Sequence, residues 1–354
     1  MGDVINIARK AKGLKMHELA HHLSIDPSLM SRIASGERKA SIPQLKKLST
    51  LLDLQFETLL KEQLSDDVFS VLKDYPQLAS EVMKVAEARI QYLSSSKKFE
   101  TIDVPKTILS TLEEIDKLQK EWSNAHPLAI TPLKKLREYF NTAYTHESNK
   151  IEGNTLTLQE THLVINEGIT IGGKSVQEHL EAINHKAAIQ LIEDLATSRA
   201  DLNAHTLKQL HQLVLKGIDD QNAGRYRSVE VRISGSEHTP PPAHQLTDMM
   251  EDYFDFYHQQ KDELHPVILA AEMHERLVSI HPFIDGNGRT SRLVMNLILL
   301  SNGYTLANLK GNASERIKYY QTLEAVQLNH ENESFYELIT NAVYRSLQEH
   351  ISMV

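Results

Sequence analysis

The string His281-Pro282-Phe283-Ile284-Asp285-Gly286-Asn287-Gly288-Arg289-Thr290-Ser291-Arg292 constrains this chain most, because its Gly-Asn-Gly turn leads straight into the apolar run 293–300, which reads as a helix. Gly286 and Gly288 admit positive φ, so consecutive backbone N–H groups can turn inward as an anion nest where that helix begins. Arg289 and Arg292 lie three apart, on neighbouring helix faces, with forked guanidinium groups suited to phosphate oxygens. Asp285 is a hard oxygen donor of the kind Mg²⁺ takes beside phosphates. His281 precedes the cradle. A free imidazole ionises at about 6.5, so it can take a proton from an attacking hydroxyl near neutral pH. Together these residue types describe a phosphate-handling site at a helix N-terminus.

A chain of 354 residues exceeds the ~100–200 of one ordinary domain, so two units are expected. With 41% hydrophobic and 24% charged residues it can bury a core along its whole length. The absence of cysteine excludes disulfides, thiolate metal sites and a Cys nucleophile. Asn296 interrupts the apolar run, which falls far short of the ~20 residues of a membrane span. The first residues show no basic stretch followed by an apolar core, so no secretory leader is expected and the cytoplasm is the expected compartment. The net charge of −9 argues against a surface that coats nucleic acid, yet residues 1–60 carry nine Lys/Arg against six Asp/Glu. A basic end joined to an acidic body suggests two partners.

Residues 4–60 alternate short apolar-periodic segments with turn and cap residues, the pattern of about five small helices. Asp26 is a candidate N-cap with Pro27 at the first helical position, starting a helix through Ile33. Ser28, Ser31 and Arg32 would be exposed on that helix, with Arg38 and Lys39 following. This order (Glu18, Leu19, Ala20, Leu23, Leu29, Ser31, Arg32, Ile33, Gly36, Pro43, Leu45, Leu48, Leu52) resembles the Cro/repressor-like (XRE) helix-turn-helix family. The resemblance implies double-stranded DNA binding through those five residues, as a homodimer. His17-Glu18-Leu19-Ala20-His21 also fits the H-E-x-x-H zinc pattern, but Leu19 and Ala20 are needed for the bundle core.

Residues 1–61 thus form a helix-turn-helix unit, 62–105 a helical linker with a hinge at 94–98, and 106–354 a second unit. Helical periodicity covers 107–122, 132–145, 156–166, 175–197 and 203–216, and only 229–233 alternates as a strand, so the second unit is mainly α. The stretch 168–175 matches the phosphate-loop spacing G-x-x-x-x-G-K-[ST]. It follows a helix end rather than a strand, and reads as a glycine turn.

His281–Arg292 resembles the signature of the Fic family, H-P-F-x-[DE]-G-N-G-R-x-x-R, at every specified position. The resemblance covers roughly 110–345. It implies a protein adenylyltransferase, moving AMP from ATP with Mg²⁺ or Mn²⁺ onto a Ser, Thr or Tyr hydroxyl of a target protein, its own included. It implies His281 as general base, Asp285 on the metal, Asn287 and the glycine amides on phosphates, and Arg289 and Arg292 at the β/γ end, with Thr290 and Ser291 adjoining. Related Doc kinases carry Lys in the region of Gly288 and bind ATP the other way round, so the resemblance sides with AMP transfer. Residues 225–242 resemble the family's β-hairpin flap, which makes Val231, Arg232, Ile233 and Ser234 neighbours of nucleotide or target. Tyr319 and Tyr320 match an adenine-lining pair, and Gln327 stands where the family often has Asn. Ser148 and Glu152, within 148–153, resemble an inhibitory [ST]-x-x-x-E-[GN] element. The implied brake is Glu152 pairing with Arg292. Two alternatives stand beside this: a DNA-binding repressor whose second unit only senses nucleotide, and an enzyme that removes AMP.

Overall fold

Asp26 opens a helix in the way its sequence suggests: its Oδ1 accepts the Ser28 N–H at 2.7 Å and Pro27 fills the first helical position. The computed structural model describes residues 2–94, 102–125 and 130–353, and the chain divides into two units, Met1–Lys98 and Phe99–Val354.

The first unit holds α1 (Gly2–Ala11), α2 (Met16–Leu23), α3 (Pro27–Ala34), α4 (Ile42–Leu52), α5 (Phe56–Leu72) and α6 (Ala79–Ser94). Ile5, Leu19, Met30, Ile33, Leu45, Leu48 and Leu59 are fully buried together, so α1–α5 close one core, the expected five-helix bundle. Glu18 caps α2 by accepting the Lys15 N–H at 2.6 Å, while Leu19 and Ala20 face the core. The expected limit at 61–62 falls inside α5, which continues to Leu72 because Gln63 fastens it to the bundle. The Gln63 amide accepts from Ala40 N–H at 2.9 Å and donates to Ala40 O at 3.1 Å. Of the hinge expected at 94–98, all but Ser94 lies outside the described residues.

The second unit comprises α7 (Lys106–Asn124), α8 (Ile130–Ile151), α9 (Leu158–His162), α10 (Val176–Thr197), α11 (Ala204–Leu215), α12 (Leu246–Gln260), α13 (Pro266–Ile280), α14 (Asn287–Ser301), α15 (Ala313–Asn329) and α16 (Glu333–Ile351). α14 is buried on every side from Asn287 to Leu299 except at Gly288, as expected of a helix at the centre of a core. α8, α10, α11 and α13 pack directly on it, and this brings its N-terminus among residues from four other helices. The 168–175 stretch is a turn. A π-helical turn, Leu163–Glu167, ends at Gly168 with φ +68°, and Ser175 caps α10.

The β-hairpin flap expected at 225–242, with a strand at 229–233, is not formed: the described residues contain no strand, and this segment is irregular. A hairpin needs reciprocal N–H···O pairs between its arms, and Pro240, Pro241 and Pro242 remove three donors from the second arm. Arg227 supplies the cross-links instead. Its guanidinium donates to Val229 O at 3.0 Å and Pro241 O at 2.6 Å. Among the described residues no helix is long and apolar enough to cross a membrane.

Burial holds three imidazoles of this unit well below the usual 6.5, His211 at about 4, His274 at about 3 and His350 at about 4. They stay neutral in the fold, whereas the unfolded chain takes up protons as pH falls past 6.5. Each therefore subtracts up to about 1.4 kcal/mol of stability per pH unit between its unfolded and folded pKa. Urea unfolding followed by fluorescence of Trp122, the single tryptophan, is expected to show a midpoint that drops steadily from pH 6.5 towards 4.

Candidate active site

His281 ends α13 in the left-handed region (φ 50°, ψ 57°), its N–H closing the last turn on Leu277 O at 3.0 Å. A non-glycine residue there costs on the order of 1 kcal/mol or more, so something must hold it. Arg227 does: its Nε donates to His281 O at 2.8 Å and its backbone N–H to Pro282 O at 2.8 Å. The left-handed turn places His281 Nδ1 3.2 Å from Val278 O, a carbonyl that can only accept. The ring proton therefore sits on Nδ1, and Nε2 keeps its lone pair. Burial lowers the His281 pKa; the bond to Val278 O is the next largest influence and opposes it, Arg227 and then His238 add to the lowering, and Glu152 opposes it least.

The loop that follows is braced from behind. Phe283 is fully buried and stacks on His211, ring centroids 3.6 Å apart at an interplanar angle of 5°. The Gly224 N–H donates to His211 Nδ1 at 2.9 Å, so the proton is on Nε2, which donates to Asp285 O at 2.8 Å. The Asn287 side chain, implied to touch phosphate, spends both amide ends on Phe283, accepting its N–H at 3.0 Å and donating to its carbonyl at 2.9 Å. Gly286 has φ +75° and caps α14, which starts at Asn287, six residues before the apolar run. First-turn N–H groups have no helical acceptor, so those of α14 are available to an anion.

Gly288 turns out to be helical, and its requirement is space. A Cβ built there would overlap Glu152 Oε1 and come within 3.2 Å of Arg292 Nη1. Arg292 is wholly buried: Nε donates to Ser148 Oγ at 3.0 Å, and Nη2 donates to Ser148 O at 2.9 Å and Glu152 Oε1 at 2.7 Å. Glu152 stands just past the end of α8, where Gly153 turns the chain at φ +99°, and its side chain keeps 31% exposure. Burial alone would raise its pKa, but Arg292 and Arg289 more than offset this and the carboxyl stays ionised. The ion pair implied by the resemblance is present.

The other residues implied by sequence are distributed around this centre. Asp285 is exposed at 59%, with Oδ1 accepting the Gly286 N–H at 2.6 Å and Oδ2 3.4 Å from Arg289 Nη2. Arg289 is buried and turned to α10, 3.4 Å from Glu181 Oε1. Thr290 is buried, and the Ser291 hydroxyl donates to Gly288 O at 2.8 Å. Tyr319 is buried 6.0 Å above the Arg292 guanidinium, its hydroxyl 3.0 Å from His274 Nε2. Tyr320 donates to Ile151 O at 3.1 Å, tying α15 to the end of α8. Gln327 is half-buried on α15. On the flap, Val231 and Ile233 are half-buried, Ser234 is exposed, and Arg232 donates to Thr239 Oγ1 at 2.5 Å. Sequence reasoning missed His211 and His185. His211 sits among Leu207, Leu210, Val214 and Leu215 of α11, and His185 on a mixed buried face of α10 with Glu181, Ala182, Ala188 and Ile189, so nothing in the one-dimensional pattern singles either out.

In the first unit Ser28, Ser31, Arg32, Arg38 and Lys39 are all exposed. The first three share a face of α3, and Lys39 is paired with Asp67 of α5 at 2.8 Å.

The sequence profile of the Fic/DOC family matches residues 201–299, and that of a helix-turn-helix family matches 5–59. The chain is 32% identical over 237 residues to protein adenylyltransferase Fic of Drosophila grimshawi, covering 65% of this chain and 48% of that protein. It is 32% identical over 231 residues to the protein of that name in Nematostella vectensis, covering 64% and 53%. The chain thus spans about half the length of the curated relatives it matches. A Fic-domain signaling protein from Bacteroides thetaiotaomicron superposes with a TM-score of 0.61 at 27% identity, covering 68% of this chain and 97% of that one. Fic-1 of C. elegans shares the fold, with a TM-score of 0.63 at 23% identity over 99% of this chain and 97% of that one. The chain therefore carries a Fic/DOC-family domain behind a helix-turn-helix domain.

Proposed function

We propose that the second unit transfers AMP from ATP to a Ser, Thr or Tyr hydroxyl of a protein, under restraint by Glu152, and that the first unit binds double-stranded DNA. The observation that carries this is Arg292, a wholly buried cation behind a phosphate-ready helix N-terminus whose anionic partner comes from the turn that ends α8. With Glu152 withdrawn, that guanidinium is free for the far end of a triphosphate. His281 Nε2 takes the proton of the target hydroxyl as its oxygen bonds to the α-phosphorus. The bond from that phosphorus to the α–β bridging oxygen breaks, and pyrophosphate leaves. The N–H groups at the start of α14 face the phosphate charge. Asp285, exposed and lone among carboxylates at this loop, suits Mg²⁺ or Mn²⁺, which takes one or two carboxylates and draws its other ligands from phosphate and water. When bound, the ion would neutralise phosphate charge. The adenylyltransferase name of the relatives supports the same chemistry.

The test is transfer of label to protein from ATP marked at the α-phosphate and none from ATP marked at the γ-phosphate. Label from the γ position would instead mean phosphoryl transfer. ATP binding without transfer would leave a nucleotide-sensing repressor.

For the first unit, exposed Ser28, Ser31 and Arg32 on one face of α3 support insertion into a major groove, with Arg38 on the phosphates. As in the helix-turn-helix resemblance, a homodimer would read two half-sites. Arg32→Ala is expected to weaken binding to a duplex selected from a random pool by about tenfold, the low end of a lost base contact, with AMP transfer unchanged. Fluorescence anisotropy checks this. If the wild type shows no affinity for any duplex at low salt, the unit is a protein-interaction module.

A further inference from the structure

We propose that His185 is a positioning residue for the restraint: by accepting the Ser148 hydroxyl it sets how firmly Ser148 and Glu152 together hold Arg292. This rests on reading Glu152 as a restraint.

The Ser148 hydroxyl, 1% exposed, lies between two nitrogens, Arg292 Nε at 3.0 Å and His185 Nε2 at 2.9 Å. A guanidinium nitrogen can only donate. Ser148 Oγ must therefore accept from Arg292, and its own hydrogen needs an acceptor. His185 Nε2 is the one in reach, which makes the ring neutral with its proton on Nδ1. A charged ring is disfavoured, because burial and the charges of Arg292 and Arg289 hold His185 well below 6.5. Both hydrogen bonds at Ser148 Oγ are thereby assigned, while His185 Nδ1 and Arg292 Nη1 are buried without hydrogen-bond partners.

A serine in a helix has an easier alternative. Its hydroxyl rotates among three staggered positions and commonly donates to the carbonyl one turn back, without the χ1 stiffness of a β-branched threonine. In that position its lone pairs no longer face Arg292. His185 opposes the rotation. It is itself 1% exposed on α10 and meets the edge of Tyr144, one turn before Ser148 on α8, with centroids 5.2 Å apart. Of the three bonds that Arg292 makes to α8 and Glu152, the one to Ser148 Oγ thus depends on a side chain from a separate helix. Without it the guanidinium moves more readily to a triphosphate.

The full chain is compared as wild type, His185→Leu, His185→Gln, Ser148→Ala, Ser148→Ala with His185→Leu, and Glu152→Gly, by AMP incorporation across ATP concentrations. His185→Leu is expected to lower the apparent KM for ATP about fivefold, the worth of one modest hydrogen bond, with kcat little changed. Ser148→Ala should do the same, and the double variant no more than either single one, because both remove one contact. The amide oxygen of the introduced glutamine can stand where Nε2 stood, so His185→Gln should remain within about twofold of wild type. Should His185→Leu fail to fold, His185→Asn replaces it, since its amide reaches only the δ position. The proposal falls if Glu152→Gly is activated while loss of the His185 acceptor changes nothing. It also falls if the double variant multiplies the single effects, or if His185→Gln behaves as His185→Leu. No activation in Glu152→Gly would instead remove the restraint itself.

Discussion

His281→Ala is expected to lower AMP transfer by about 10³-fold, the usual worth of a general base, and to do so equally in a Glu152→Gly chain. The left-handed turn at 281 aims Nδ1 at Val278 O and leaves Nε2 as the free basic atom. Alanine keeps the backbone bond to Arg227, so the loop survives while proton acceptance does not. The pH profile gives a second measure. His281 must be neutral to act, and burial lowers its pKa, so the acid limb of kcat/KM should lie below pH 6.5. A limb above 6.5, or residual transfer within tenfold of wild type, would remove His281 from the role of base.

Glu152→Gly is expected to raise AMP incorporation about 10- to 100-fold at low ATP, since displacing the carboxylate from Arg292 forfeits roughly 1.5–3 kcal/mol of charge-assisted hydrogen bonding. The variant should also carry a thermodynamic signature. Arg292 would be left buried without its carboxylate partner, and breaking a buried pair costs roughly 3–5 kcal/mol. Because the Glu152 side chain is 31% exposed, the low end applies. The variant should therefore melt below the wild type, and ATP with Mg²⁺ should recover more of its melting temperature than it adds to the wild type. Equal labelling of the two proteins would end the idea of a restraint. Activation without the stability loss would mean that Glu152 acts on the nucleotide and not through Arg292.

Much of the fold was legible because helices announce themselves locally. Asp26 and Pro27 opened α3 as expected, and the glycine turn at 168 ended a helical segment and not a strand. The alternation at 229–233 suggests a strand, and the resemblance a hairpin over 225–242; neither forms, because a strand exists only with a partner and the prolines at 240–242 deny it one. Gly288 does not take the positive φ that the sequence allows it. Its φ is helical, and what it supplies is room for a carboxylate that arrives from α8.

The sequence by itself determined which chemical groups this protein has at 281–292, the helices that carry them and the presence of a basic N-terminal bundle, since periodicity, caps and short motifs act over a few residues. Only the tertiary structure decided their partners. Ser148 meets Arg292 across 144 positions, and His185 meets Ser148 across 37. Such contacts depend on how α8 and α10 pack on α14. No local pattern encodes that packing, because it follows from the joint burial of apolar faces far apart in the chain.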